Sequence, residues 1–228
     1  MVSAVLVFDV NETLLDLGAL DPLFIDLFDD AALRPQWFAT MLQLSFVGGL
    51  TGQYVDFSTA QRAALRMTAQ RAGKDVSASA VETVVDAMRR LPPHPEVPRA
   101  LARLQNEGLR LTALTNSVLD VARAQLVNAG LAERFEEIFS ADEVRALKPA
   151  PAPYRMVAER CGVDVGDLCL IAAHPWDVSG AMAIGARSAF VARSGVVPSP
   201  LGPQPAVIGT DLTAVADALL APSVDGRQ

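Results

Sequence analysis

The chain has 228 residues, 51% of them hydrophobic and 20% charged, which is enough apolar material for a sizeable core and excludes intrinsic disorder. No run approaches the roughly 20 apolar residues of a membrane helix. A formal net charge of −7, with no Lys/Arg cluster interleaved with aromatics, argues against nucleic acid or a membrane surface as a partner.

The first expected element is the apolar run Ala4 to Phe8, too short for a helix and read as a strand buried on both faces. It ends in Asp9. Ligands of open parallel sheets bind outside the carboxyl ends of the strands, so an acid at this point stands where chemistry is done. Taken alone, Asp9 reads first as a turn cap. A strand beginning within three residues leaves no room for a signal peptide, so a cytoplasmic location is expected.

From about Leu20 to Arg90 the pattern is helical. Leu23, Leu27 and Phe28 recur at helical spacing before a break at Asp29-Asp30. Further helices are expected from Pro35 to Phe46, stopped by Gly48-Gly49, from Ser58 to Arg71 and from Ser79 to Arg90. Pro92-Pro93-His94-Pro95 turns the chain back, and His94 reads as structural there. Helix and strand then alternate. Helices are expected over Val97 to Glu107, Val118 to Asn128, Pro153 to Cys161, Gly180 to Ile184 and Thr213 to Leu220. Strands are expected over Leu111 to Leu114, near Ile138-Phe139, over Leu168 to Ile171 and Ser188 to Val191, and at Val207-Ile208. The tail from Pro222 is expected to fray. Cys161 and Cys169 form no disulfide framework or metal spacing and read as packing residues. This alternation predicts an α/β fold, a doubly wound, mainly parallel sheet.

Four segments carry candidate chemistry: Asp9-Val10-Asn11-Glu12-Thr13 after the first strand, Thr115-Asn116 after Leu111 to Leu114, Lys148-Pro149 with Tyr154, and Ala172-Ala173-His174-Pro175-Trp176-Asp177. In this order, over nearly the whole chain, they resemble the four motifs of the haloacid dehalogenase superfamily. The resemblance implies a Rossmann-like core over residues 1–14 and 92–221 and a helical cap over 15–91 that excludes water from the site. It makes Asp9 a covalent nucleophile facing Lys148, whose ammonium keeps the carboxylate ionised. Asp177 holds that lysine or assists the hydrolytic water, while Thr13, Thr115 and Asn116 orient Asp9 and bind an anionic substrate.

Phosphatases of the superfamily carry a second Asp two residues after the nucleophile and an acidic fourth motif for Mg²⁺. Here those positions are Asn11 and Ala172-Ala173, so no catalytic metal is expected. The metal-free (S)-2-haloacid dehalogenase branch matches better, through Lys148-Pro149, Tyr154 and Pro175-Trp176-Asp177. It implies displacement of halide from a small 2-substituted carboxylic acid, through an aspartyl ester that water cleaves to a 2-hydroxy acid, with no cofactor. Trp37, Phe38, Tyr154 and Trp176 are then candidates for the apolar wall, and Val10, Asn11 and Ser117 for further substrate contacts.

Three features depart from that branch. Asn11 and Glu12 stand where it has an aromatic and a Gly, Phe38 stands where the halide-binding arginine falls, and His174 replaces an Asn. Arg34, one helical turn before Phe38, is a candidate substitute or simply a solvated arginine. His174 offers a general acid that halide does not need and an amine leaving group does. A related hydrolase opening azetidine-2-carboxylate is therefore the alternative; a His174 that only packs, or that activates water, fits too. A Mg²⁺-dependent phosphatase and a non-catalytic small-molecule binder are further alternatives. A homodimer would suit the apolar composition.

Overall fold

The computed structural model describes residues 5–221. Ala4 and the tail from Pro222 lie outside them. Six strands form one parallel sheet: β1 (Val5–Phe8), β2 (Arg110–Thr115), β3 (Glu137–Ser140), β4 (Leu168–Ala172), β5 (Arg187–Val191) and β6 (Val207–Gly209), in the order β3-β2-β1-β4-β5-β6. The order reverses between β1 and β4, so β1 opens at the topological switch point of the sheet.

Side chains of β1 alternate between two cores. Leu6 and Phe8 join Leu111, Ala113, Ile171 and Ala189 on one face, while Val5 and Val7 join Leu114, Leu170 and Phe190 on the other. All four β1 residues are buried, as a strand covered on both faces requires. The first face is covered by α5 (Val97–Asn106), α6 (Leu119–Asn128) and α9 (Leu212–Leu220), the second by α7 (Pro151–Cys161) and α8 (Pro175–Ala183).

Between β1 and α5 lie α1 (Asp21–Phe28), α2 (Leu33–Thr51), α3 (Phe57–Arg71) and α4 (Ala78–Ala87), the last continued by a 3₁₀ turn over Met88–Arg90. Their apolar faces, with Phe24, Trp37, Met41, Leu65 and Val84, are continuous with the first core.

Two expected boundaries move. The second helix does not stop at Gly48-Gly49 but runs to Thr51 and ends at Gly52, which takes the left-handed conformation (φ 70°). Gly48 stays helical because the chain returns over it: a Cβ there would lie 2.7 Å from the Gln53 carbonyl oxygen. The segment Pro175-Trp176-Asp177 is not a loop leading to a helix at Gly180. It is the first turn of α8, with Pro175 in the first turn and Asp177 close behind, both favourable at a helix start.

Gly180 lets α8 meet the Lys148-Pro149 segment. A Cβ would approach Pro149 Cβ to 2.5 Å and both the Pro149 carbonyl and the Tyr154 hydroxyl to 2.8 Å. Gly180→Ala gains about 1 kcal/mol of helix propensity but overpacks this contact, at about 1–3 kcal/mol. A net destabilisation is expected, read as a lower urea midpoint.

Candidate active site

Asp9 is the first residue after β1, and its N–H donates to the Ile171 carbonyl of β4 (3.1 Å), which fixes it at the switch point. Its side chain is 4% exposed overall and fully engaged. Oδ2 accepts from the Thr13 hydroxyl (2.6 Å) and Oδ1 from Lys148 Nζ (2.9 Å). Thr13 in turn accepts from the Ala173 N–H (2.9 Å), so the ends of β1 and β4 are tied through one hydroxyl.

Lys148 is wholly buried. Its ammonium donates to Asp9, to Asp177 Oδ2 (2.5 Å) and to the Leu114 carbonyl (2.9 Å), which uses all three protons. The Asn116 amide clamps the Lys148 backbone, accepting from its N–H (2.8 Å) and donating to its carbonyl (3.2 Å). Tyr154 donates to Asp177 Oδ1 (2.5 Å) and so holds the second carboxylate.

Burial alone would raise the Asp9 pKa, but the charges of Lys148 and His174 and the hydrogen bonds of Thr13 and Lys148 outweigh it and hold the carboxyl below its ordinary range. At Asp177, burial and the neighbouring Asp9 charge prevail over Lys148 and raise it. Burial opposes the Lys148 charge, yet Asp177 and Asp9 overcome that and push it up. The arrangement therefore keeps Asp9 ionised beside a charged lysine.

His174 lies between the rings of Phe38 (centroids 5.6 Å) and Trp176 (5.0 Å), nearly parallel to both. Its Nε2 donates to the Asn11 carbonyl (3.1 Å) and stands 3.8 Å from Asp9 Oδ2 and 3.7 Å from Glu12 Oε2. Glu12 reaches this point because its backbone is left-handed (φ 61°), a conformation that costs a side-chain-bearing residue about 1–2 kcal/mol. Asp9, Asn11, Phe38, Leu42, Phe57, Thr115, Asn116, His174 and Trp176 surround a cavity of about 10 Å³.

Residues 4–185 match the family model of haloacid dehalogenase-like hydrolases. The chain belongs to that family. It is 30% identical to the (S)-2-haloacid dehalogenase of Pseudomonas sp. (strain YL) over 92% of this chain and 91% of that protein. It is 32% identical to haloacetate dehalogenase H-2 of Moraxella sp. (strain B), over 74% and 75% respectively. Among solved structures, the L-2-haloacid dehalogenase of Xanthobacter autotrophicus with chloropropionic acid covalently bound superposes with a TM-score of 0.89 at 25% identity, covering 96% of this chain and 98% of that one.

Members of this hydrolase family that use Mg²⁺ need a cluster of oxygen ligands, and the groups present do not fit that role. The space between Asp9 and Asp177 holds the Lys148 ammonium, the Asn11 carbonyl accepts from His174, and Ala173 offers no side-chain donor.

Of the residues singled out in the sequence, Asp9, Thr13, Lys148 and Asp177 form one hydrogen-bonded chain, with Thr115, Asn116, His174, Asn11, Phe38 and Trp176 around the adjoining cavity. The Asn11 amide is turned to Gln125 Nε2 (2.9 Å) and Ser117 Oγ (3.3 Å).

Four expectations are corrected. Trp37 lies in the core of the helical insertion, donating to the Gln61 carbonyl (3.0 Å) and packing on Phe24, so it backs Phe38 and does not face the cavity. Tyr154 is buried behind Asp177 and forms no wall. Val10 packs in the first core. Arg34 is not at the Asp9 cavity: partly exposed, it pairs with Asp21 (2.5 Å), lies 3.9 Å from Glu12 and borders a separate cleft. Leu42, Phe57, Gln125 and the Glu12 side chain were missed. Leu42 was legible as the residue one turn after Phe38; the other three meet the site only through tertiary packing.

Proposed function

We propose that this hydrolase removes halide from a short 2-haloacid, with the (S)-enantiomer preferred, using Asp9 as nucleophile and no metal. The observation that carries the reading is the buried ion triad Asp9–Lys148–Asp177, with Thr13 on the second Asp9 oxygen. Lys148 holds Asp9 anionic, and a carboxylate oxygen attacks C2 of the substrate through a lone pair that its single hydrogen bond leaves free. The C2–oxygen bond forms as the carbon–halogen bond breaks, halide departs with the electron pair, and C2 inverts. Water then adds at Asp9 Cγ, the ester opens, and the 2-hydroxy acid leaves. Asp177, steadied by Tyr154, keeps Lys148 in place through both steps.

The names of the relatives and the covalent adduct named for the Xanthobacter enzyme support this reading. The close walls of Phe38, Leu42, Phe57 and Trp176 beside Asp9 favour a small substrate, admitted when the helical insertion, acting as a cap over residues 15–91, opens.

A second reading rests on one observation, the stacking of His174 on Phe38 at the position of the missing halide arginine. An imidazolium there can protonate a ring nitrogen, which favours opening of azetidine-2-carboxylate.

Metal-stripped enzyme incubated with each enantiomer of 2-chloropropionate, with fluoroacetate and with azetidine-2-carboxylate separates the two. Halide release from the (S)-chloride, unchanged by a chelator, is expected. Ring opening without halide release would transfer the assignment to the amine-releasing reaction, and Mg²⁺-dependent hydrolysis of p-nitrophenyl phosphate would overturn both.

A further inference from the structure

Dehalogenation through an aspartyl ester leaves a proton behind, and this site is nearly sealed. After water adds at Asp9 Cγ, the adduct collapses: the bond from Cγ to the substrate oxygen breaks, that oxygen takes one water proton, and Asp9 is left as a neutral carboxylic acid. The sum is 2-haloacid plus water giving 2-hydroxy acid, halide and one proton. Asp9 cannot attack again until that proton has gone. The cavity beside it is lined by Phe38, Leu42, Phe57 and Trp176, which accept no proton, and by Asn11, Thr115, Asn116 and His174, of which the imidazole is the side chain suited to take one up. Lys148 is saturated by three acceptors.

A polar path leads out through His174 and Glu12. His174 Nε2 is 3.8 Å from Asp9 Oδ2 and 3.7 Å from Glu12 Oε2, just beyond hydrogen-bond reach and within range of a single bridging water. Glu12 also lines a separate charged cleft of about 490 Å³, with Asp16, Arg34, His94 and Arg193, and its side chain is 28% exposed there. Glu12 thus borders both His174 and the cleft. It holds that place in a left-handed backbone conformation (φ 61°), one that favours glycine. A strained residue with a charged side chain, where glycine would be strain-free, points to use of the side chain.

We propose that His174 and Glu12 form a proton relay that regenerates Asp9 between turnovers: the His174 ring, carrying a proton on Nδ1 as well, gives its Nε2 proton to the Glu12 carboxylate, the neutral ring takes up the Asp9 proton at Nε2, and Glu12 releases its proton into the cleft. The inference rests on the dehalogenase reading above. Burial raises Glu12 above the ordinary carboxylate range, against the opposing charges of His174 and Arg34 and with those of Asp9 and Asp16, which suits a group that binds and releases a proton. The charged groups facing the pair are Asp9, Asp16 and Arg34, with Lys148 behind Asp9; the His94 ring contacts only the Glu12 carbonyl (3.1 Å).

The test is Glu12→Gly, which relieves the backbone, beside Glu12→Gln, which keeps the shape without the charge. Both are followed with (S)-2-chloropropionate by rapid-quench halide release and in the steady state. The first-turnover halide burst should stay within about twofold of wild type, while kcat falls by about tenfold or more, within the span of proton-transfer contributions. Formate, a small carboxylate able to enter the cleft, should restore much of the loss in Glu12→Gly, and equal chloride should not. The thermal midpoint of Glu12→Gly should be no lower than that of wild type. A kcat within twofold of wild type in both variants, a loss that appears already in the first burst, or no effect of formate would overturn the relay. A wild-type enzyme that shows no halide burst would instead overturn the dehalogenase reading, and the relay with it.

Discussion

Asp9→Asn is expected to lower halide release by at least about 10⁴-fold, the scale seen when a nucleophile is removed from an intact site. The amide has the size and shape of the carboxylate, so Thr13 and Lys148 keep a partner and the fold should persist. What disappears is the charge that Lys148 and His174 hold in place and the oxygen that attacks C2. Whole-protein mass spectrometry after mixing with substrate should show the ester adduct in wild type and none in the variant. A non-catalytic binder on the same fold would make no adduct in either protein and would bind a short carboxylate equally well before and after the change. Retention of a tenth of the activity would remove Asp9 from the nucleophile's role.

Lys148→Met should have the largest effect on both stability and rate. The side chain keeps its length but withdraws the ammonium from between two buried carboxylates. Breaking a buried pair from one side leaves uncompensated charge and costs about 3–5 kcal/mol. Turnover should fall by about 10³-fold or more, since Asp9 loses the charge that keeps it ionised. The sign of the Asp9 contribution to the pH dependence of stability should also change.

In wild type the Asp9 pKa is depressed, so its contribution to stability is present above the ordinary aspartate range and is lost as pH falls through the folded value. Without Lys148, burial and mutual repulsion raise both carboxyls above their unfolded values. Their protonation then favours the folded state, and stability grows as pH falls through the raised range. Urea midpoints at pH 5 and pH 8 should therefore show a smaller deficit for the variant at pH 5. A variant as stable as wild type at pH 8 would mean that the triad contributes little to folding.

The Glu12 variants and Lys148→Met probe different links. Lys148 sets the charge on Asp9 before the reaction, whereas Glu12 is asked only to restore it afterwards. Separate effects on the first turnover and on later turnovers distinguish them.

Much of this arrangement was legible in the chain itself. Short, mostly apolar runs followed by polar groups marked β1, β2 and β4, because a strand buried on both faces carries few polar positions until it leaves the sheet. Since parallel strands align their carboxyl ends, Asp9, Thr115 and His174 had to come near one another once the alternation of helix and strand was read. Lys148 was marked by its place in the order of motifs; local periodicity says nothing about it, for it lies in a turn between β3 and α7. The start of α8 was misjudged because Pro175 and Asp177 serve a turn and a helix N-terminus equally well.

Sequence alone determined the strands and their parallel pairing, which follow from local pattern and from the short list of ways such strands connect, and the resemblance of its ordered motifs to the family's implied the group of acids and lysine at their ends. Tertiary structure decided which side chains of the helical insertion meet that group. Phe38 and Leu42 face the cavity while Trp37 turns inward, and Arg34 is drawn to Asp21, away from Asp9. Glu12 meets His174 across 161 intervening positions in a contact made by one left-handed residue and the packing of α2 over the sheet. Such contacts depend on the angle at which two separately patterned layers dock, a quantity set by the summed fit of many side chains and carried by no single stretch of sequence.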